Sequence, residues 1–255
     1  MRRGLLILSL LLLAAIFMLS TTQETQVVQK NETNVSITLI EMDGCTNCHS
    51  ASLLLSRMNF FSEGLGLSIT NRTVDWDSEI GRELIAKYNI TRVPTLVISK
   101  EAGSSIAFLD AWGKNRLGTQ ESDGTYVMRN PAPPYYDVDK RNFVGEVTVI
   151  EIVDSDCSQC LNLTYLYDYF WRAGIPLANI TSVDHSSAQG QELTGRYNIT
   201  KTPSAIISKD AEVYDLFDEV QSGAGIRKED GAYVFKDPFP PYYDTIKEKI
   251  VESEN

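Results

Sequence analysis

The sequence is short of several residues on which common chemistries depend. It has two histidines, four cysteines and three tryptophans in 255 residues. Lys and Arg number 23 against 34 Asp and Glu, a net charge of −11. Nucleic-acid phosphates are bound by clustered cations, so this deficit argues against a nucleic-acid partner. No Gly-rich phosphate loop and no Ser-His-Asp set is present. The one long apolar run, Leu5 to Leu19, is broken only by Ser9 and has no cysteine beside it to carry a lipid. No cysteine stands outside the two Cys-x-x-Cys pairs, Cys45/Cys48 and Cys157/Cys160.

What remains is an ordinary globular composition, 43% apolar and 22% charged. A chain of this length is one or two domains, and two of about 110 residues could each bury a core. Met1-Arg2-Arg3 followed by the apolar run reads as a signal peptide or signal anchor over residues 1–20, with a linker over 21–34. A run of fifteen residues suits a signal core and falls slightly short of a spanning helix. Ser20 is small but Met18 is not, so cleavage and anchoring through residues 4–19 both stand. Either outcome puts the rest of the chain outside the cytoplasm, secreted or membrane-anchored, where disulfides persist. Asn-x-Ser/Thr sequons at Asn31, Asn34, Asn71, Asn89, Asn162, Asn179 and Asn198 point to glycosylation. Asn and Thr also favour caps and turns, which is the plainer account of them.

The chain repeats itself. Gly81-Arg-Glu-Leu-Ile-Ala-Lys-Tyr-Asn-Ile-Thr-Arg-Val-Pro94 matches Gly190 to Pro203 at eight of 14 positions, offset by 109. Asp123 to Asp137 matches Asp230 to Asp244 at ten of 15, offset by 107, and the cysteine pairs repeat at 112. The order is the same each time and the period is that of a whole domain. Two domains are expected, at 35–140 and 141–255.

Each repeat reads alike. A strand rich in β-branched residues, Val35 to Met42 or Val147 to Val153, runs into the cysteine pair. Helical spacing follows over Ala51 to Phe61 and Leu161 to Trp171, closed by Gly64 and Gly174. A second strand ends at Asp75 or Asp184, and a second helix covers Ser78 to Tyr88 or Ala188 to Tyr197. Asn89 and Asn198 follow as left-handed caps. Strands Thr95–Ser99 and Ser204–Ser208 come after Pro94 and Pro203. This is a βαβ pattern, so the fold class is α/β, a central sheet with flanking helices.

A bridge across two intervening residues adds little stability, because loop-closure entropy grows with loop length. Chemistry is the better reason for the spacing. A thiolate attacks a disulfide, and a cysteine just before a helix has its thiolate favoured by free N–H groups and the dipole. The second cysteine, three residues on, can resolve the mixed disulfide. Strand, cysteine pair and helix together make a device for thiol exchange.

At these residues the sequence resembles the thioredoxin superfamily. The match is carried by Tyr88-Asn-Ile-Thr-Arg-Val-Pro94-Thr and Tyr197-Asn-Ile-Thr-Lys-Thr-Pro203-Ser as much as by the cysteines. It covers nearly everything after residue 35 except the two Asp-Gly to Pro-Pro-Tyr-Tyr-Asp tails, read here as an edge hairpin and an extended segment. The resemblance implies tandem thioredoxin-like domains and a protein thiol–disulfide oxidoreductase, isomerase activity included. It implies Cys45, Cys48, Cys157 and Cys160 as the redox centres. It places Val93, Pro94, Thr202 and Pro203 at substrate, with both prolines cis. The partners it implies are cysteine-containing protein substrates and a redox partner protein, with no cofactor and no metal.

Departures from the family pattern are specific. Gly44 and Asp156 stand where tryptophan usually precedes the first cysteine, and the inner dipeptides are Thr46-Asn47 and Ser158-Gln159. Oxidation, reduction and isomerisation all stay open. The family's buried acid, six residues before the first cysteine, is Glu151 in the second repeat and Leu39 in the first, with Glu41 two residues further on. A buried carboxylate can take the resolving thiol's proton.

Three rival readings are set beside this one. Cys45-Thr-Asn-Cys48-His49 has the form of a c-type haem attachment site, but Leu161 replaces the histidine in the second repeat. A histidine that tunes Cys45 and Cys48 fits His49 better. Zinc held by all four cysteines would need both domains to converge. A non-enzymatic thioredoxin-like binding module with closed disulfides is the third. His185 reads as the cap of a strand end.

Overall fold

The computed structural model describes residues 33–252, apart from Thr46, His49 and Gly66. The expected signal or anchor segment and the sequon at Asn31 lie outside the described residues, as does His49. Among the described residues no helix is long and apolar enough to cross a membrane.

The first half runs β1 (Thr33–Glu41), α1 (Ser50–Leu65), β2 (Leu67–Asp75), α2 (Glu79–Tyr88), β3 (Arg92–Val93) and β4 (Thr95–Ile98). A 3-10 turn at Lys100–Ser104 leads into α3 (Ile106–Lys114), then β5 (Gly118–Gln120), β6 (Tyr126–Met128), β7 (Tyr135–Asp137) and β8 (Asn142–Val144). The second half follows the same plan. It has β9 (Val147–Val153), α4 (Thr164–Arg172), β10 (Leu177–Asp184), α5 (Ala188–Tyr197), β11 (Lys201–Thr202) and β12 (Ser204–Ile207). After a 3-10 turn at Lys209–Val213 come α6 (Phe217–Ala224), β13 (Arg227–Glu229), β14 (Ala232–Phe235), β15 (Tyr242–Asp244) and β16 (Lys249–Val251).

Two separate five-stranded sheets result, β2-β1-β4-β6-β5 and β10-β9-β12-β14-β13. In each the first two strands are parallel, joined by a helical crossover, and the third is antiparallel to the central strand. The sheets are mixed and flanked by helices, consistent with thioredoxin-like units. The third helix, α3 or α6, precedes the edge hairpin in the chain.

Side chains alternate across each central strand, and this alternation makes two cores per half. Val35, Ile37 and Leu39 pack with Leu55 and Met58 of α1 and with Phe108 and Trp112 of α3. Ile40 faces the other way, toward Tyr88, Ile90 and Val93. Val147 and Val149 repeat the first arrangement with Leu166, Phe170 and Phe217, and Ile152 repeats the second with Tyr197 and Ile199.

Local chemistry sets the helix limits. Ser78 and Ser187 cap α2 and α5, their hydroxyls accepting the N–H of Gly81 and Gly190 at 3.0 Å. Asn89 and Asn198 close the same helices in the left-handed region, at φ 49° and 51°. Gly81 and Gly190 press against the ends of β2 and β10, where a Cβ would collide with the carbonyl oxygens of Asp75 and Asp184. Gly174 ends α4 at φ 68°, as expected. Gly64 does not end α1. The helix runs on to Leu65, and Gly64 is not among the glycines at positive φ.

The proline tails contain a hairpin and more. Each Asp-Gly lies between the two strands of the edge hairpin, and each Pro-Pro-Tyr-Tyr-Asp delivers a strand to the residue before Pro94 or Pro203. Tyr136 pairs with Val93, and Tyr243 with Thr202, completing the small sheets β3-β7-β8 and β11-β15-β16. Arg92 lies over Tyr135 at 4.8 Å and Lys201 over Tyr242 at 5.5 Å. The tails therefore brace the strand entering Pro94 and Pro203.

The packing of Gly81 is directly testable. Gly81→Ala forces α2 off β2 and should cost about 1–3 kcal/mol, the usual range for overpacking. Thermal unfolding followed by circular dichroism should then show a fall of roughly 2–4 °C per kcal/mol.

Candidate redox sites

In the second half β9 ends at Val153, and the chain turns at once through Asp154, Ser155 and Asp156. The Cys157 N–H donates to the Asp154 carbonyl at 3.1 Å, and the Cys160 N–H to the Cys157 carbonyl at 3.3 Å. The turn is tied to the end of β10, because Ser155 donates its N–H to the Asp184 carboxylate at 2.8 Å and its hydroxyl to the same oxygen. Ser186 adds its own hydroxyl and N–H to the other oxygen. These donors hold the Asp184 carboxyl far below the usual carboxylate range.

Cys157 and Cys160 form a disulfide with Cα atoms 5.5 Å apart, and both are half-buried. They line a pocket of about 190 Å³ with Glu151, Asp154, Leu161 and Pro203. The fold brings Pro203 there because Ser204 pairs with Ile152 and Ala205 with Glu151. The Thr202–Pro203 and Val93–Pro94 bonds are both cis.

Glu151 sits on the face of β9 that looks toward α4, and it is half-buried. One carboxylate oxygen accepts the Tyr167 hydroxyl, and the other accepts the Ser182 hydroxyl at 2.7 Å. Burial, reinforced by the Glu151 charge, pushes the Tyr167 phenol well above its ordinary value, so it remains a donor. Tyr167 reads in the sequence as one more apolar position of a helix. Its partnership shows only on comparing repeats, where Leu39 and Leu55 replace Glu151 and Tyr167 together.

The expected helix position of the first cysteine is not what the structure shows. α4 begins at Thr164, not Leu161, so Cys157 lies seven residues ahead of it. The reason is the tail: the Leu161 N–H donates to the Pro241 carbonyl at 2.9 Å, which holds the chain out of the helix. Leu163 is the N-cap and offers no side-chain acceptor, but the Asn162 side-chain oxygen, one residue earlier, accepts the Thr164 N–H at 3.1 Å. In the first half α1 begins at Ser50, so Cys48 rather than Cys45 stands nearest a helix start.

Cys45 and Cys48 are also disulfide-bonded, with Cα atoms 5.4 Å apart. The Cys45 N–H donates to Met42, and Asp43 is tied to Asp75 much as Ser155 is tied to Asp184. The pairing of Thr95 with Ile40 brings Pro94 to the end of β1, where the cysteine turn begins. The surroundings differ. Cys48 is buried, and Leu39 and Leu55 fill the places of Glu151 and Tyr167. Glu41 is half-buried at the end of β1. A cleft of about 600 Å³ beside Asn47 is lined by Leu53, Pro133, Pro134, Trp171 and Ile175.

Val93 and Thr202 are fully buried, so their side chains face the interior. The His185 backbone N–H donates to the Val153 carbonyl at 2.8 Å across the strand ends, and His185 and Cys157 both line a second cleft.

No family model matches the sequence, and no curated protein does. Solved structures with some likeness include human ERp44, with 12% identity over 69% of this chain and 44% of that one, at a TM-score of 0.22. A protein disulfide oxidoreductase from Aeropyrum pernix K1 aligns at 16% identity over 76% of this chain and 88% of its own, at a TM-score of 0.21. ERdj5 aligns at 16% over 79% and 28%, also at 0.21. The chain thus spans less than half of ERp44. The fold is read from its own strand order.

Removing the charge from Glu151 tests whether it takes part. Glu151→Gln keeps the shape and should slow turnover at Cys157/Cys160 by roughly ten- to a thousand-fold, the scale of a positioned proton-transfer group. The measurement is insulin reduction in a Cys45→Ser/Cys48→Ser background. A rate equal to the parent's would make the acid structural only.

Proposed function

We propose that the protein is a thiol–disulfide oxidoreductase that exchanges disulfides with cysteine-containing protein substrates. The observation that carries this reading is one pocket holding the Cys157–Cys160 disulfide, Pro203 and a carboxylate oriented by two hydroxyls. A substrate polypeptide would lie across the Pro203 side of that pocket. Cys157 bonds to a substrate sulfur, and the thiolate of Cys160 displaces the substrate and closes the disulfide. Glu151 receives the Cys160 proton. A redox partner protein would restore the pair.

The reading includes two thioredoxin-like domains, 35–140 and 141–255, outside the cytoplasm, released or held by residues 4–19. The exposure of Asn34, Asn71, Asn89, Asn162, Asn179 and Asn198 supports glycosylation. Asn89 and Asn198 would keep their capping role, because a cap needs only the backbone conformation.

A second reading applies to the first pair. Cys48 is buried among apolar groups, with no ionisable side chain at the two inner positions, and this favours a lasting disulfide in a binding unit. The apolar cleft beside Asn47 supports that division. Haem attachment is not favoured, because thioether links need the two sulfurs that here bond each other. The four cysteines likewise form two separate disulfides in separate halves.

Refolding of scrambled ribonuclease distinguishes the sites. Cys157→Ser should lose most of the activity, roughly tenfold or more, since the attacking thiolate is lost. Cys45→Ser should lose much less. The reverse ranking would assign the exchange to the first pair.

A further inference from the structure

The two cysteine turns differ in more than Glu151. Counting back 112 residues from the second turn, Asp154 corresponds to Met42, and by the 109 offset His185 corresponds to Trp76. In the first half Trp76 packs on Tyr136 with ring centroids 5.2 Å apart. In the second half His185 takes the same place on Tyr243, at 5.5 Å. The aromatic seat is retained, and two apolar residues at the edge of one core, Met42 and Trp76, are exchanged for a carboxylate and an imidazole.

The His185 Nε2 lies 3.8 Å from Asp154 Oδ2, and the Asp154 side chain is nearly buried. Cys157 shares with this pair a cleft of about 340 Å³, lined also by Asp156, Ser186, Tyr243 and Ile250. Those residues arrive from every side: Asp154 and Asp156 from the turn after β9, Ser186 from the turn after β10, Tyr243 from β15 and Ile250 from β16. Asp184, next in the chain, has its carboxylate taken up by Ser155 and Ser186. Among the described residues no lysine or arginine lines the cleft.

We propose that His185 is the proton acceptor for Cys157, with Asp154 as the positioning residue that holds the imidazolium. This rests on the reading of Cys157 as the attacking cysteine. It also supplies what a helix start would have provided, since α4 begins seven residues too late to favour the thiolate. A neighbouring imidazolium lowers a thiol's pKa, and histidine exchanges a proton near neutral pH. In the step itself the imidazole takes the proton from Cys157 Sγ. The sulfur's electron pair forms a bond to one sulfur of a substrate disulfide, and that S–S bond breaks onto the other sulfur, which takes the proton back from His185. Cys160, its proton passed to Glu151, then attacks Cys157 Sγ. The mixed disulfide breaks, and the second substrate sulfur leaves as a thiolate and collects that proton. Two electrons and two protons pass from the pair to the substrate. A dithiol donor reverses the change.

The test is the pH profile of iodoacetamide alkylation of reduced Cys157 in the full chain carrying Cys45→Ser/Cys48→Ser. His185→Trp installs the ring that the first half already tolerates. It should raise the midpoint by about one pH unit or more, toward the free-thiol value near 8.5. Asp154→Asn should raise it by a smaller step. A graft works in the opposite direction: Met42→Asp/Trp76→His, with Cys157→Ser/Cys160→Ser, should lower the midpoint of Cys45. An unchanged Cys157 midpoint in folded His185→Trp overturns the proposal. If that variant does not fold, an unchanged Cys45 midpoint in the graft does so. Insulin reduction by the parent protein reports separately on thiol exchange, so loss of the histidine role and loss of the exchange reading give different results.

Discussion

The antiparallel register between each central strand and the strand after its proline is the constraint on which both sites depend. Ser204 opposite Ile152 and Thr95 opposite Ile40 bring the prolines to the end of the sheet where the cysteine turns begin. A slip of one residue would turn every side chain to the other face, moving Glu151 off the α4 side and Ile152 out of its core. The register is held by burial on both faces of the central strands and by the tail strands clamped to Val93 and Thr202.

On that common frame the two halves carry different chemistry through paired exchanges. Leu39 and Leu55 become Glu151 and Tyr167, and Met42 and Trp76 become Asp154 and His185. In each pair the two members touch one another in the second half. A half-buried carboxylate without donors carries a desolvation cost of a few kcal/mol, which its hydrogen bonds offset. Glu151 has two hydroxyl donors, and β10 supplies one of them, Ser182, directly across from it. Surface ion pairs such as Arg82–Asp77, by contrast, are exposed and contribute little.

The tails show how one segment serves fold and site together. Tyr243 pairs with Thr202, seats the His185 ring and lies two residues after the Pro241 carbonyl that takes the Leu161 N–H. That last bond delays α4 and leaves the cysteine turn without a helix N-terminus. On the proposed reading, proton handling at the second site therefore falls to side chains.

Much of this was legible in the sequence because it is local or periodic. The repeat, the strand–cysteine–helix order, the capping Asn89 and Asn198, the prolines and the position of Glu151 all depend on spacing within a few residues, or on identity between two copies. What only the tertiary structure decided is long-range. Tyr167 and Ser182 converge on Glu151 from a helix and a neighbouring strand. The start of α4 is set by a carbonyl some eighty residues away, and His185, read from the sequence as a strand cap, meets Asp154 and Tyr243 across three strand ends. Helix periodicity marks Tyr167 as inward-facing but does not say what it faces, because composition records which groups must be satisfied and only packing chooses their partners.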